Sequence, residues 1–402
     1  METSVCDDGS NFQQLLLDRF AERVRKQVGS LLNRVLELEQ MLHLGCCPYE
    51  RTTTRRGHRN GYDARWLETR WGPVRLRVPK VRGTQEPFRP RALVRYGRRE
   101  AALGKAIELW AASGMSTRKV ARAVHETFGC LLSATAVSRI LARVDEEVAA
   151  FHRRRWSRGY RYLYLDGKHG SVLQKGRRGL RKRPGTLLVA WGIDHGGNRE
   201  VVDFRVARGE DAASWTAFLT DLERRGVRGE NRWAEQLEMI VTDGAGGIES
   251  ALDTVYPGVP RQLCVFHKVQ AIASHLRDRS NRAEILKGAA RIYWGAGSAP
   301  QARARYRRWA QRWQEIEPEA VACFRADFDE TLHYLTAPPT YRRALKTNNP
   351  IERLIEELER KFASVSVFAN EQSWERITFL VWKHLKLAGH PKSPKSHFTR
   401  KS

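Results

Sequence analysis

Residues 158–266 read as three consecutive strands, a helix, a strand, a helix and a last strand, and this order predicts an α/β domain of the RNase H-like kind. Two further observations fit that fold class to catalysis. The strands YRYLYLD and MIVTD each deliver an aspartate to a following glycine, at Asp166 and Asp243. A third carboxylate, Glu352, stands in the first turn of a helix far downstream. With this order the first and fourth strands are neighbours, so Asp166 and Asp243 come together. An Asp-Gly pair alone is a turn former; three carboxylates in matching settings are more than that.

Taken in chain order, the first element is a helix. From Phe12 to Leu44, apolar residues recur at Phe20, Val24, Val28, Leu31, Val35, Leu38 and Leu42, in alternating steps of three and four after the first two. This near-heptad face suits a core-packed helix or a self-association helix. Gly45 and Pro48 end it, so 1–48 is set apart.

Region 49–99 contains a hairpin. From Trp66 to Arg82, Val74, Leu76 and Val78 alternate with Arg75 and Arg77 after a turn at Gly72-Pro73, giving one apolar and one basic face. Arg55, Arg56, Arg59 and Lys80 add to the basic face, which is suited to phosphates.

Region 100–150 reads as three helical segments. Gly114-Met115-Ser116 separates the first two, Ser116 caps the second, Phe128-Gly129-Cys130 ends it, and Ser133 caps a third whose Val137, Ile140, Leu141 and Val144 face inward. A helix-turn-helix is the natural reading. It makes Arg118, Lys119, Thr135, Ser138, Arg139 and Arg143 candidate DNA contacts.

In the catalytic region, a basic glycine-rich loop is expected over Gly170–Gly185, between the first two strands. The second long apolar run, Leu263 to Phe266, is read as the last strand, ending at His267. Asn349 suits an N-cap and Pro350 the first position of the helix carrying Glu352, with Ile351, Leu354, Ile355, Leu358 and Phe362 as its buried stripe. Glu352 could equally close a capping box, and Glu356 is the alternative ligand one turn on.

Three carboxylates suit a hard divalent cation, Mg²⁺ or Mn²⁺, held by oxygen ligands together with substrate phosphates. Two such ions can serve the attacking and the leaving oxygen of a phosphodiester. The formal net charge of +26, with pI near 10.3, points to a polyanionic partner, nucleic acid above all. No run of about 18 apolar residues occurs and the N-terminus is polar, so no membrane partner and a cytoplasmic, DNA-associated place are expected. The six cysteines (Cys6, Cys46, Cys47, Cys130, Cys264, Cys323) lack CxxC spacing and are expected to be reduced.

Several segments in fixed order resemble the Mutator-type transposases of bacterial insertion sequences, within the DDE superfamily: LGCCPYERTTTRRGHRNGY, VPKVRG, GMSTRKVARAVHETFG with LSATAVSRI, YLDGKHGSV, GEDAASWTAFLTDLERRG, VTDG, CVFHKVQ and TNNPIERL. The resemblance implies a catalytic and metal-binding triad of Asp166, Asp243 and Glu352. It also implies double-stranded DNA partners (element ends and target), a homodimer or higher homo-oligomer on DNA, and two metal ions with DNA bound. Asp166 and Asp243 are 77 residues apart (243 − 166), and Glu352 lies 109 beyond (352 − 243). The family fills the longer gap with an all-helical insertion, placed here at 267–346, before a last core segment at 347–390 and a basic tail at 391–402. Arg303, Arg305, Arg307, Arg308 and Arg312 form a basic segment of that insertion, and Arg353 beside the triad is a further DNA candidate.

Cys264 and His267 resemble the family's C-x2-H signature, and packing or hydrogen bonding is the favoured reading; zinc would need two more ligands, with His275, Cys323 and His333 on offer. Trp215 matches a family tryptophan and is read as a core aromatic. IEELERKF is more acidic than the family's usual continuation. The activity implied is binding of terminal inverted repeats, cleavage and 3′-OH strand transfer. The alternatives are a catalytically silent transposase-derived DNA-binding protein and an RNase H-like nuclease without strand joining.

Overall fold

A computed structural model describes residues 8–93, 100–156, 159–176, 179–229, 236–363, 365 and 367–384. The expected basic tail at 391–402 lies outside them. The chain divides into two units, Met1–Ala142 and Arg143–Ser402.

In the first unit, helix α1 (Asp8–Leu44) packs beside an antiparallel hairpin of β1 (His58–Thr69) and β2 (Gly72–Arg82). The loop is Arg70-Trp71, not the expected Gly72-Pro73, because Thr69 already pairs with Gly72 and Glu68 with Pro73. Gly72 has φ +105°, a conformation that the tight turn needs and that glycine alone adopts readily. Val74 and Leu76 bury against Leu36, with Leu32 and Leu67 beside them. Their neighbours Arg75 and Arg77 are exposed, as the period-two alternation requires.

Three helices complete this unit: α2 (Ala101–Ala112), α3 (Thr117–Phe128) and α4 (Ala134–Leu141). The Ser116 side chain accepts from the Lys119 N–H, and Ser133 from the Ala136 N–H. Gly129, at φ +64°, closes α3. The third helix is shorter than expected. It stops at Leu141, and Val144 opens α5 (Val144–Arg153) in the second unit, so Arg143 precedes α5 instead of lying on α4. Two of the three acids of α5 are tied within the second unit, Asp145 to Arg376 at 2.5 and 2.7 Å and Glu147 to Lys383 at 2.6 Å.

The second unit is built on β3 (Tyr160–Gly176), β4 (Gly179–Asp194), β5 (Arg199–Ala207), α6 (Ala212–Arg225), β6 (Met239–Thr242), α7 (Gly246–Val255) and β7 (Arg261–Leu263), in the expected order of elements. The sheet runs β5-β4-β3-β6-β7, with β5, β4 and β3 antiparallel and β3, β6 and β7 parallel. Trp215, Phe218, Leu219 and Leu222 of α6 and Ile248, Ala251 and Leu252 of α7 bury one face, against Leu163, Leu165, Leu188, Ala190, Val202 and Ile240. Trp215 is fully buried in this core.

Two expectations fail in this unit. The basic loop over Gly170–Gly185 is instead a continuation of the β3–β4 ribbon, paired from Gly170↔Gly185 to Gly176↔Gly179. A Cβ on Gly170 would stand 2.4 Å from Trp374, so that glycine admits the indole, which a loop would not need. The last strand is only Arg261–Leu263, and the following apolar run is helix α8 (Val265–Ile272), which buries Val265, Val269 and Ile272 at helical spacing.

From there to Leu345 the named elements are all helical, with α9 (Arg282–Tyr293), α10 (Ala299–Trp313), α11 (Pro318–Ala326) and α12 (Pro339–Leu345), joined in part by short 3₁₀ turns. Then come α13 (Asn349–Phe362) and α14 (Glu371–His384). Among the described residues, no helix is long and apolar enough to cross a membrane.

Candidate active site

Asp166 lies on β3, two residues past Tyr164, which pairs in parallel with Val241. Asp243 follows the last residue of β6. Asp166 thus lies within β3, paired with Val189, and not at the strand end expected for it; only Asp243 ends its strand, and the two acids stand just past the stretch in which β3 and β6 pair in parallel. Gly244, at φ +88°, turns the chain away at once, and Asp243 Oδ1 accepts from the Ala245 N–H at 3.0 Å.

Glu352 sits in the first turn of α13, whose Ile351, Leu354, Ile355 and Leu358 are buried. The helix begins one residue earlier than expected. Asn348 occupies the N-cap position and Pro350 the second helical one. Asn348 makes no side-chain cap: its Oδ1 is buried without a hydrogen-bond partner, while Nδ2 donates to Asp166 Oδ2 at 3.3 Å and to the Leu165 carbonyl at 3.5 Å. Its backbone N–H meets Cys264 Sγ at 3.3 Å. Asn348 is fully buried, and it ties the start of the Glu352 helix to both Asp166 and Cys264.

Electrostatics bring the three acids into one site. Burial, then the charge of Asp243 and, more weakly, that of Glu352 push Asp166 up to about 7, although the Gly167 N–H donates to its Oδ1 at 2.8 Å. Cys264 beside the ring, with the Glu352 and Asp243 charges, pushes His267 up to about 9 against the effect of burial. His267 Nε2 stands 3.7 Å from Glu352 Oε1. His267 Nδ1 and Glu352 Oε1 are buried without a hydrogen-bond partner.

Sequence reasoning missed a fourth acid. Glu210 lies over Gly167, where a Cβ would stand 2.5 Å from its carboxylate. Burial and the Asp243 charge raise its pKa, with His169 and Trp215 opposing. The available signal is Gly167 itself, which leaves room for that carboxylate.

This concentration of negative charge, with a Glu352 oxygen that lacks a hydrogen-bond partner, is what a divalent cation relieves. Asp166, Asp243 and Glu352 fit such an ion by donor type. Among the described residues, the one compact His/Cys/Asp/Glu group is nevertheless Cys264, His267 and Glu352, with donor atoms within 4.8 Å of one another. The carboxylate of Glu352 thus leans toward His267. The other zinc ligands considered are occupied, His275 with the Ala271 carbonyl at 3.0 Å and His333 with the Arg261 carbonyl. Cys323 is not in the group.

Of the other site candidates, Arg75, Arg77, Arg118, Lys119, Thr135, Ser138, Arg139, Arg143 and Arg353 are all exposed. Arg77 also covers the Tyr62 ring at 4.4 Å. Arg59 is spent on the Cys46 and Cys47 carbonyls, and Lys80 pairs with Asp63. On α10, Arg303 pairs with Asp329, Arg312 with Glu284, and Arg305 holds the Arg291, Trp294 and Gly295 carbonyls. Arg307 and Arg308 stay exposed, so the basic segment offers less free charge than its composition suggests.

Comparison with known proteins gives the same direction. The family model described as "Transposase, Mutator family" matches residues 8–387. The transposase for insertion sequence element ISRM5 of Rhizobium meliloti (strain 1021) is 30% identical over 88% of this chain and 85% of its own. The transposase for IS406 of Burkholderia multivorans is 30% identical over 90% of each chain. The transposase for IS256 in transposon Tn4001 of Staphylococcus aureus is 29% identical, over 87% of this chain and 86% of its own.

Proposed function

The chain belongs to the Mutator family of transposases, and from that premise we propose that it is a DDE transposase with an RNase H-like core interrupted by a helical insertion. It binds the terminal inverted repeats of an insertion sequence, cuts the DNA and joins the freed 3′-OH to a target. The observation that carries this reading is the convergence of Asp166 from within β3, Asp243 from the end of the adjacent parallel β6, and Glu352 from a helix start, on a site where burial and mutual repulsion raise Asp166.

Asp166, Asp243 and Glu352 would hold Mg²⁺ or Mn²⁺, two ions with DNA bound, which when bound activate a water or 3′-hydroxyl and stabilise the leaving oxygen. Asn348 orients the Asp166 carboxylate and fixes the first turn of α13 relative to it. The exposed cations of the hairpin and of α3 and α4 hold the phosphate backbone. No protein nucleophile is required.

The test is metal-dependent cleavage and joining on DNA carrying the element's ends. Wild type should do both, Asp243→Ala and Glu352→Ala neither, while each still binds DNA. Glu356 is exposed on α13 and Glu356→Ala should stay active; its inactivity would reassign the third ligand. Binding without cleavage by wild type would favour the silent DNA-binding protein, and cleavage without joining the nuclease.

A further inference from the structure

Helix α1 presents two different faces. One is used within its own unit: Gly29 lies against Val74, Leu36 and Leu44 are fully buried, Gln40 Nε2 donates to the Lys80 carbonyl at 2.9 Å, and Asn33 accepts from the Arg77 N–H at 2.8 Å. The other face carries Leu17, Ala21, Val24, Val28, Leu31, Val35, Leu38 and Leu42, in unbroken alternation of four and three residues. Leu17, Leu31, Val35, Leu38 and Leu42 on it are 41–78% exposed.

Nine of the 19 large exposed apolar side chains among the described residues belong to α1 (Phe12, Leu15, Leu16, Leu17, Phe20, Leu31, Val35, Leu38, Leu42). Single exposed apolar residues are ordinary, but a contiguous row marks an interface. A row of period 3.5 fits one partner shape best, another helix of the same period.

We propose that this face is the dimerisation seam of the protein: α1 pairs with α1 of a second copy as a parallel, in-register, two-stranded coiled coil over Leu17–Leu42, about 38 Å long. The seam's own chemistry selects the occupant. With Ala21, Val28, Val35 and Leu42 at the a positions and Leu17, Val24, Leu31 and Leu38 at d, β-branched residues occupy the middle a layers and leucine three of the four d layers. That distribution favours two parallel strands.

The flanks agree. In this register Arg34, at g, faces Glu39 of the second copy, at e, and no like charges meet across the g–e′ pairs Phe20–Arg25, Gln27–Leu32 and Arg34–Glu39. Glu39 accepts from the Arg91 and Ala92 N–H groups, which holds its carboxylate in place while leaving lone pairs for a guanidinium. The hairpin lies on the other side of the helix and leaves the seam open.

The test uses the full-length protein without DNA, so its result is independent of whether the chain transposes. Sedimentation equilibrium should give twice the 46.2 kDa chain mass. Leu31→Asp/Leu38→Asp should weaken the dimer by about a hundredfold or more, with circular dichroism and melting of the monomer unchanged, because both side chains are exposed there. A wild-type monomer, a trimer or larger assembly, or a dimer indifferent to the double substitution would each overturn the proposal. Orientation is read separately, by oxidation in a background lacking Cys6 and Cys47. Val35→Cys should crosslink to its own copy and Ser30→Cys, off the seam, should not. Failure of Val35→Cys to crosslink in a dimer that the aspartates disrupt would overturn the parallel register.

Discussion

Replacing Asp166 by Asn tests the electrostatics of the site directly. Burial and the Asp243 and Glu352 charges raise Asp166 from the usual carboxylate range to about 7. A carboxyl whose folded pKa lies above its unfolded one binds more protons when folded, so metal-free stability is lost as pH rises from about 4 to about 7. The whole shift corresponds to roughly 4 kcal/mol by pH 8, of which roughly 2.5 kcal/mol is added between pH 5 and pH 8. The substituted amide carries no charge at either pH. It keeps an oxygen for the Gly167 N–H, and its misfit with the Asn348 amide is the same at both pH values. In EDTA, the Asp166→Asn variant should therefore gain on wild type between pH 5 and pH 8 by a Tm difference of roughly 5–10 °C. Mg²⁺ at pH 8 should raise the wild-type Tm and leave the variant nearly unmoved. A variant-minus-wild-type difference that is flat with pH would refute the account of a strained carboxylate cluster.

Two further outcomes follow from particular contacts. Asn348→Ala removes the amide that reaches Asp166 and Leu165, and it should cost about 1–3 kcal/mol in denaturant unfolding and also slow strand cleavage; a variant as active and as stable as wild type would show that the amide does not position Asp166. Arg75→Ala/Arg77→Ala should weaken binding to all DNA sequences alike and flatten the slope of log K against log salt by about 2, measured by fluorescence anisotropy; an unchanged slope would remove the hairpin from the phosphate-contacting surface.

What could be read along the chain was whatever a few neighbouring residues decide. Ser116 and Ser133 cap the helices expected of them, and Asp243 ends its strand, because such caps and ends depend on short-range pattern, whereas Asp166 lies within a strand that its pairing with β4 prolongs. What eluded the sequence depends on a distant partner. Asn348 and Asn349 are equally good caps on composition, and nothing local tells that the Asn348 amide reaches Asp166, 182 residues away. Glu210 gives no local sign that it lies over Gly167. Gly170–Gly185 has loop composition, yet Trp374 makes it a ribbon by packing where a side chain would otherwise stand.

The acidity of α13 poses a problem for the proposed function that its contacts partly resolve. A run of acids after Glu352 would repel DNA phosphates from the place where that function has them approach. Glu359, however, pairs with Lys168, two residues beyond Asp166 on β3, and Glu357 with Arg360 and Lys361 one turn on. Exposed pairs of this kind contribute little to stability, so their consequence is chiefly in the field they leave. Glu357 and Glu359 are paired with cations of the same unit, Arg353 is exposed beside Glu352, and Glu356 is exposed with no ion pair among the described residues to offset it. The acidity of the helix is thereby partly offset, while the chain as a whole keeps the net +26 that suits the polyanionic substrate proposed for it.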